Sequence, residues 1–470
     1  MNKYKKLSGN IVVYAIGNLG SKLLAFILVP IYTAYLSTAQ YGQIDLTIST
    51  VAMLLPIAYA CVHDAVLRFA LDEKEDKREV ISNALAGSLL LLTLTTVLLI
   101  LFSLFIKPIN YLFYLILLLS VEVFESILSQ YLRAIGKVKH FAIKGIILTF
   151  TSGLYSILAI VVLKLGIKGY FLGYTLAYLS SIIYIVLVSR VYKDFKFDLL
   201  GFDMSKKLYR YSLPLVPNST LWWVINSSSK FFIDYNYGTS LNGIFAVSVK
   251  IPTLINIITQ VFNQAWQVSA IEEYNDEDKN KFYSDIFNML SAVLFLGGFF
   301  ILLLIKDVFR LVFDEVYFPA WEAVPLLVLG TIFSSFSGFL GTNYVAAKKT
   351  SNALKTSVYG GTICLLLNFL LIPTWGIIGA SISNALGFLA MWIIRIYDTG
   401  DIVRVEIDFK SLLPNILIYL LVTLALFLNL GSMTERLIAV VALVLGIFVN
   451  IRYIKRVLSL VLSIFKKDTK

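Results

Sequence analysis

Apolar residues run along this chain in long unbroken stretches separated by short polar turns. A helix needs about 20 such residues to cross the roughly 30 Å hydrocarbon core of a bilayer. Fourteen stretches meet that length, near residues 10–35, 43–67, 81–106, 110–132, 143–163, 169–189, 211–235, 241–268, 285–305, 321–346, 353–373, 376–396, 411–429 and 436–454. The pattern predicts an all-α polytopic membrane protein. The longest internal connections lie near Arg190 to Arg210 and Glu272 to Asp285, so no loop has room for a soluble catalytic domain. Lys306 to Trp321, "KDVFRLVFDEVYFPAW", is amphipathic at helical spacing and is expected to lie along the outer interface. The acidic "EEYNDEDKNK" from Glu272 reads as a solvated turn.

Composition agrees: 58% of residues are hydrophobic, 15% charged, and the mean hydropathy is +0.81. A net charge of +11 would suggest nucleic acid as the partner of a soluble protein. Here the distribution of charge excludes that reading. With a cytoplasmic N-terminus, 31 basic residues fall in segments assigned inside and 6 in those assigned outside. Lys and Arg collect in cytoplasmic loops, so the asymmetry predicts fourteen spans in the cell membrane with both termini cytoplasmic. The start, "MNKYKK", leads into an apolar run about 25 residues long without an A-x-A-like site, which reads as a retained first span. Cys61 and Cys364 lie in apolar runs and read as small core residues.

The chain also repeats itself. "NLGSK" at Asn18 to Lys22 matches "NSSSK" at Asn226 to Lys230, and Gly42 and Gly243 mark the turns that follow. "LKLGIKGYFLGYTLAYL" from Leu163 matches "IPTWGIIGASISNALGFL" from Ile372, with Gly166 and Gly169 answering Gly376 and Gly379. Both matches keep their order about 200 residues apart. Six spans separate equivalent points, and an even number preserves orientation. The expected architecture is two pseudo-symmetric six-helix bundles, 1–200 and 201–400, a terminal helix pair at 401–470 with a basic cytoplasmic tail, and a cleft between the bundles.

No enzyme motif is present. There is no G-x-x-x-x-G-K-[ST] phosphate loop, and His63 and His140 stand alone at span ends outside any metal or nucleophile constellation. Neither a catalytic residue nor a metal or bound cofactor is expected. Three basic residues remain inside spans: Lys22, Lys230 and Lys250. At about 1.5 Å per residue they come out roughly 12, 10 and 14 Å below the outer edge of the hydrocarbon core, in one layer. A lysine left facing lipid costs about 2.5–3.5 kcal/mol. One reading pairs Lys230 with Asp234 at i+4 and lets the other two snorkel; snorkelling over more than 10 Å exceeds a lysine stem. The other reading is an anion site in the cleft.

Carboxylates form a second set. Glu122 and Glu125 lie at i, i+3 on one face of span 4, Asp45 opens span 2, and Asp234 follows Lys230 by one turn. Such groups bind or relay a coupling cation in transporters, here a proton or sodium gradient, while Glu122 and Glu125 are equally placed to pair with Lys144 or Arg133. Pro30, Pro56 and Pro252 fall inside spans, and Pro214 with Pro217 opens span 7, the first choice for a moving element.

The sequence resembles the Wzx-type polysaccharide flippases, within the multidrug/oligosaccharidyl-lipid/polysaccharide exporter superfamily that also holds MATE-type multidrug exporters and lipid II flippases. The match is carried by "SKFFIDYNYGTSLNGIFAVSVKIP" with "FNQAWQVSAIEEYNDEDKNKFYSDIF", by "RLVFDEVYFPAWEAVPLL", and by "SKLLAFILVPIYTAYLSTAQYGQIDL". Ser21 and Lys22 sit where lipid II flippases carry a functional Ser-Arg. Ser229 departs from the pattern, since many members have an acidic residue there. The resemblance implies an undecaprenyl-diphosphate-linked oligosaccharide carried from the inner to the outer leaflet by alternating access, with membrane lipids, a polysaccharide polymerase and export machinery as partners. A diphosphate fits a cationic cleft, which lysines would meet as point charges. A MATE-like multidrug or cation-coupled exporter is the alternative, and would favour acidic groups in the cleft. A polymerase or membrane glycosyltransferase would need a sizeable external loop.

Overall fold

The computed structural model of the protein describes residues 27–465, apart from 73, 275, 348 and 349. The described residues are helical almost throughout and contain no β-strand. In hydrocarbon no water is available to the backbone, so each apolar run satisfies its own N–H and C=O groups by coiling.

Eleven helices among the described residues are long and apolar enough to cross a membrane. One of them, Ser351–Thr399, is two spans that meet at Gly376, whose φ of 53° and ψ of −127° are not helical. The expected seventh span is a helix of lower hydropathy, Leu215–Tyr237, and the first falls mostly outside the described residues. The chain is a multi-pass membrane protein.

It divides into two compact units, one ending at Ser227 and one beginning at Ser228. The first holds α1 (Thr38–Ala58), α2 (Val62–Ala70), α3 (Lys77–Phe105), α4 (Leu112–Ala134), α5 (Val138–Ile157), α6 (Gly166–Ser189) and the short α7 (Phe202–Ser212). Ser37 starts α1 with a capping box: its hydroxyl accepts from the Gln40 N–H at 3.3 Å while the Gln40 side chain accepts from the Ser37 N–H at 3.1 Å. The second expected span, 43–67, is interrupted rather than continuous. Pro56 lies in the last turn of α1, and Ala60 and Cys61 take left-handed φ values of 50° and 53° before α2 resumes. α3 turns much of its second half away from protein, with Leu104 and Phe105 72% and 80% exposed, as a lipid-facing helix must.

α8 (Leu215–Tyr237) carries the boundary between the units, and the second unit continues with α9 (Thr239–Ser248), α10 (Lys250–Glu272) and α11 (Lys279–Val312). A 3₁₀ segment, Glu315–Ala323, leads to α12 (Val324–Ala346), α13 (Thr350–Thr399), α14 (Phe409–Phe427) and α15 (Ser432–Phe465). Its core is aromatic: Trp266 stacks on Phe339 with ring centroids 4.6 Å apart, and Tyr283, Phe287 and Trp392 close around them. Lys306–Trp321 is not one helix: its first part completes α11 and its end lies in the 3₁₀ segment, with Phe309, Phe313, Tyr317 and Trp321 buried on one face and Arg310, Asp314 and Glu315 exposed.

The repeat is visible in each unit separately. Gly166 and Gly376 both have φ near +55°, at 55° and 53°, where a hairpin of spans turns back on itself. Three residues on, Gly169 and Gly379 lie against the carbonyls of Ala159 and Leu371; a Cβ on Gly169 would sit 2.9 Å from the Ala159 oxygen. A left-handed glycine followed by a close-approach glycine is therefore the shared chemistry of both hairpins.

Candidate functional site

The rotation of α8 is fixed by polar bonds within the second unit. The Asn368 amide donates to the Ser228 hydroxyl at 3.1 Å, and the Ser229 hydroxyl donates to the Asn368 carbonyl oxygen at 3.1 Å. Near the end of the helix the Tyr237 hydroxyl donates to the Pro373 carbonyl at 2.9 Å, and Ile233 packs with Phe245, Leu327 and Ile372. Lys230 and Asp234 lie one turn apart on the strip of the helix that Tyr237 continues, at i, i+4 and i+7, and both are half-buried. Lys230 is seven residues from Tyr237, or about 10 Å along the axis.

Lys250 begins α10, where the helix bends. Pro252 has no N–H to return to the Ser248 carbonyl, which is why α9 and α10 part at this point. The Ser248 hydroxyl is anchored on the Ala320 carbonyl at 2.8 Å, and the Thr253 hydroxyl covers the carbonyl of Lys250. Lys250 is half-buried and eleven residues from Thr239, or about 16 Å along the axis. The second unit thus holds two of the three intramembrane lysines, at depths differing by about 6 Å. Lys22 lies outside the described residues.

The carboxylates Glu122, Glu125 and Asp45 belong to the first unit, Asp234 to the second. Glu125 is buried and ion-paired: the Lys144 ammonium of α5 lies 2.6 Å from its Oε1, and the Ser181 hydroxyl of α6 donates to the same atom at 3.0 Å. Arg133 bonds Gln130 at 3.0 Å instead. Glu122 is half-buried and accepts a hydrogen bond from Tyr178. Tyr178 ends a stripe at i, i+4, i+8 of α6, with Tyr170 and Tyr174 stacked at 5.8 Å and Tyr174 edge-on to Tyr178 at 5.4 Å. Tyr32 continues it at 5.1 Å from Tyr170. Asp45, on α1, is buried.

Three features escaped the sequence reading. The tyrosine stripe was legible in "GYFLGYTLAY" at helical spacing. Arg395, at the end of the expected span 376–396, is 3% exposed and bonds Ser337 O at 2.7 Å, Thr356 Oγ1 at 3.0 Å and Ser357 Oγ at 3.1 Å, partners too distant in sequence to leave a local signal. Lys306 lies 4.2 Å from the Trp321 ring centroid and 2.8 Å from Glu435, beside Arg436, which pairs with Asp307 at 2.7 Å around a cavity of about 180 Å³. Both histidines have partners: His140 Nδ1 is 2.8 Å from the Tyr184 hydroxyl, and His63 stacks on Tyr59 at 4.9 Å.

Residues 7–267 match the model of a family described as polysaccharide biosynthesis protein, more than half of the chain. The chain belongs to the polysaccharide biosynthesis protein family. Among curated relatives, the capsular polysaccharide biosynthesis protein CapF of Staphylococcus aureus is 23% identical over 181 residues, 38% of this chain and 46% of CapF. The probable low-salt glycan biosynthesis flippase Agl15 of Haloferax volcanii is 23% identical over 226 residues, 45% of this chain and 46% of Agl15. An uncharacterized membrane protein of Methanocaldococcus jannaschii is 33% identical over 91 residues, 19% of this chain and 18% of its own length. These alignments span less than half of each relative. The family member's fold is that of the lipid II flippase MurJ in an inward closed conformation, with a TM-score of 0.71 at 13% identity over 95% of this chain and 100% of that one. An inward-facing MATE family multidrug transporter follows the same fold, with a TM-score of 0.61 at 15% identity over 85% and 95% of the two chains.

Proposed function

We propose that this protein is a flippase that moves an undecaprenyl-diphosphate-linked oligosaccharide from the cytoplasmic to the outer leaflet of the cell membrane by alternating access. The observation that carries the reading is the placement of Lys230 and Lys250, half-buried at neighbouring depths in one unit of a polysaccharide biosynthesis family member. Two ammonium groups held out of bulk water favour a multivalent anion, and a diphosphate offers one at the junction between lipid and glycan. Lys22 is the third member of this set. The chain performs no covalent chemistry in this scheme; transport draws on a proton or sodium gradient through Glu122, Glu125, Asp45 and Asp234. Both termini are cytoplasmic, and the product passes to a polysaccharide polymerase and export machinery.

A cation-coupled drug exporter is the second reading, supported by the MATE-like fold. It wants acidic groups where the drug binds, and the lysine layer opposes it. The test is the variant with Lys22, Lys230 and Lys250 all changed to Gln, expressed at wild-type level. Loss of surface polymer supports the flippase. Full polymer output, with lost resistance to cationic drugs after carboxylate substitution, would support the exporter.

A further inference from the structure

The segment between α6 and α8 is held on the first unit by specific bonds. The Asn83 amide on α3 donates to the Leu199 carbonyl at 2.8 Å, and its oxygen accepts from the Gly201 N–H and the Ser205 hydroxyl, each at 2.9 Å. The Ser82 hydroxyl accepts the Lys196 N–H at 3.0 Å. The Tyr131 hydroxyl donates to Asp194 at 2.9 Å, which turns that carboxylate inward. α7 buries Met204, Leu208 and Ser212 at i, i+4, i+8, and Gly87 of α3 leaves room for the Tyr209 ring.

The opposite face of this latched segment is both apolar and basic. Phe197 and Phe202 are 75% and 79% exposed, with Tyr192 and Leu213 also exposed. Between them Arg190, Lys193, Lys196, Lys206, Lys207 and Arg210 are all exposed, against the exposed carboxylates Asp198 and Asp203. Lys207 is paired with Glu75, which leaves five cations facing outward.

The depth of the segment says what it faces. The exposed apolar row of α3 starts at Leu89 and Leu90, 54% and 68% exposed. Asn83 precedes Leu89 by six residues, about 9 Å along the helix, and the polar layer of a bilayer is roughly 5–8 Å thick on each side. α7 therefore lies at the height of the head groups, beside Gly87. The same end of the unit carries Lys77, Arg78, Arg133 and Lys137, whereas the opposite end carries Lys107, Lys164 and Lys168, so the linker faces the cytoplasm by the positive-inside rule.

We propose that this linker is a binding surface for anionic phospholipid head groups of the cytoplasmic leaflet, with Phe197 and Phe202 seated at the interface and Lys193, Lys196, Lys206 and Arg210 on the phosphates. Aromatic rings at the boundary with cations on their polar side give an interfacial segment two kinds of hold on the membrane, apolar and electrostatic. The inference depends on the orientation of the chain and not on what it transports.

The test uses the full-length protein in nanodiscs of mixed phosphatidylglycerol and phosphatidylcholine, with retained lipids counted by native mass spectrometry after extraction. Wild type should retain phosphatidylglycerol selectively, and added salt should weaken the selectivity. Changing Lys193, Lys196, Lys206 and Arg210 to Gln should lower it by roughly fivefold per charge removed. Their side chains are exposed, and an unchanged thermal transition will show that the fold is intact. Equal retention of both lipids by wild type would overturn the proposal and favour an acidic protein as the occupant. So would a quadruple Gln variant as selective as wild type.

Discussion

Lys144 Nζ and Glu125 Oε1 lie 2.6 Å apart, from successive helices α5 and α4, with both side chains largely out of solvent. Breaking a buried pair on one side leaves the other charge uncompensated, at a cost of about 3–5 kcal/mol, whereas removing both charges is close to neutral. Glu125→Gln should therefore lower the melting temperature of the purified protein clearly, and Glu125→Leu with Lys144→Met should restore most of it. A single variant as stable as wild type would remove the pair from the structural account.

Glu122 differs in its surroundings, since its mapped partner is the neutral Tyr178 hydroxyl. Glu122→Gln can keep that hydrogen bond and should fold normally, yet transport into proteoliposomes should lose its dependence on pH or sodium. An unchanged rate and an unchanged ion dependence would leave the carboxylate without a coupling role.

Lys230→Gln and Lys250→Gln should each strongly lower surface-polymer output at normal protein level, while Arg at either position should keep part of it because the charge remains. Lysines that merely snorkel would tolerate Gln or Leu. Polymer output at wild-type level from both Gln variants would separate the lysines from transport.

The two hairpins should respond alike to alanine. Gly166→Ala and Gly376→Ala force a side chain to a positive φ, at about 1–3 kcal/mol each. Gly169→Ala and Gly379→Ala should cost more, since the new Cβ meets a backbone carbonyl that no rotamer change can move. Thermal unfolding that ranks one hairpin opposite to the other would argue against equivalence of the halves.

Orientation can be read by labelling. Lys206→Cys and Ser240→Cys are exposed sites, while the native Cys61 and Cys364 are buried. An impermeant maleimide on intact cells should reach position 240 and miss 206. The reverse pattern would invert the orientation.

Much of this was legible in one dimension because hydrocarbon imposes a length rule on helices, and because glycines needed for left-handed turns recur at Gly166 and Gly376. The lysines stood out for the same reason: a charge inside an apolar run has few local explanations. What the sequence hid was pairing at a distance. Glu125 had Lys144 and Arg133 as equal candidates until the helices were packed. Arg395 draws its partners from as far back as Ser337. The break at Ala60 and Cys61 carries no glycine to announce it. Lys306 and Asp307 find their partners, Glu435 and Arg436, more than a hundred residues later.

That separation has a consequence for biosynthesis. α11 leaves the ribosome with Asp285 and Lys306 in or beside its apolar run, while Arg456 and Glu435, which neutralise them at 2.5 and 2.8 Å, are 171 and 129 residues further on. At about 5–20 residues per second, the nascent helix waits roughly 6–35 seconds for its counter-charges. α15 thus neutralises α11 only late in synthesis, and a translation product stopped short of it is a natural substrate for quality-control proteases.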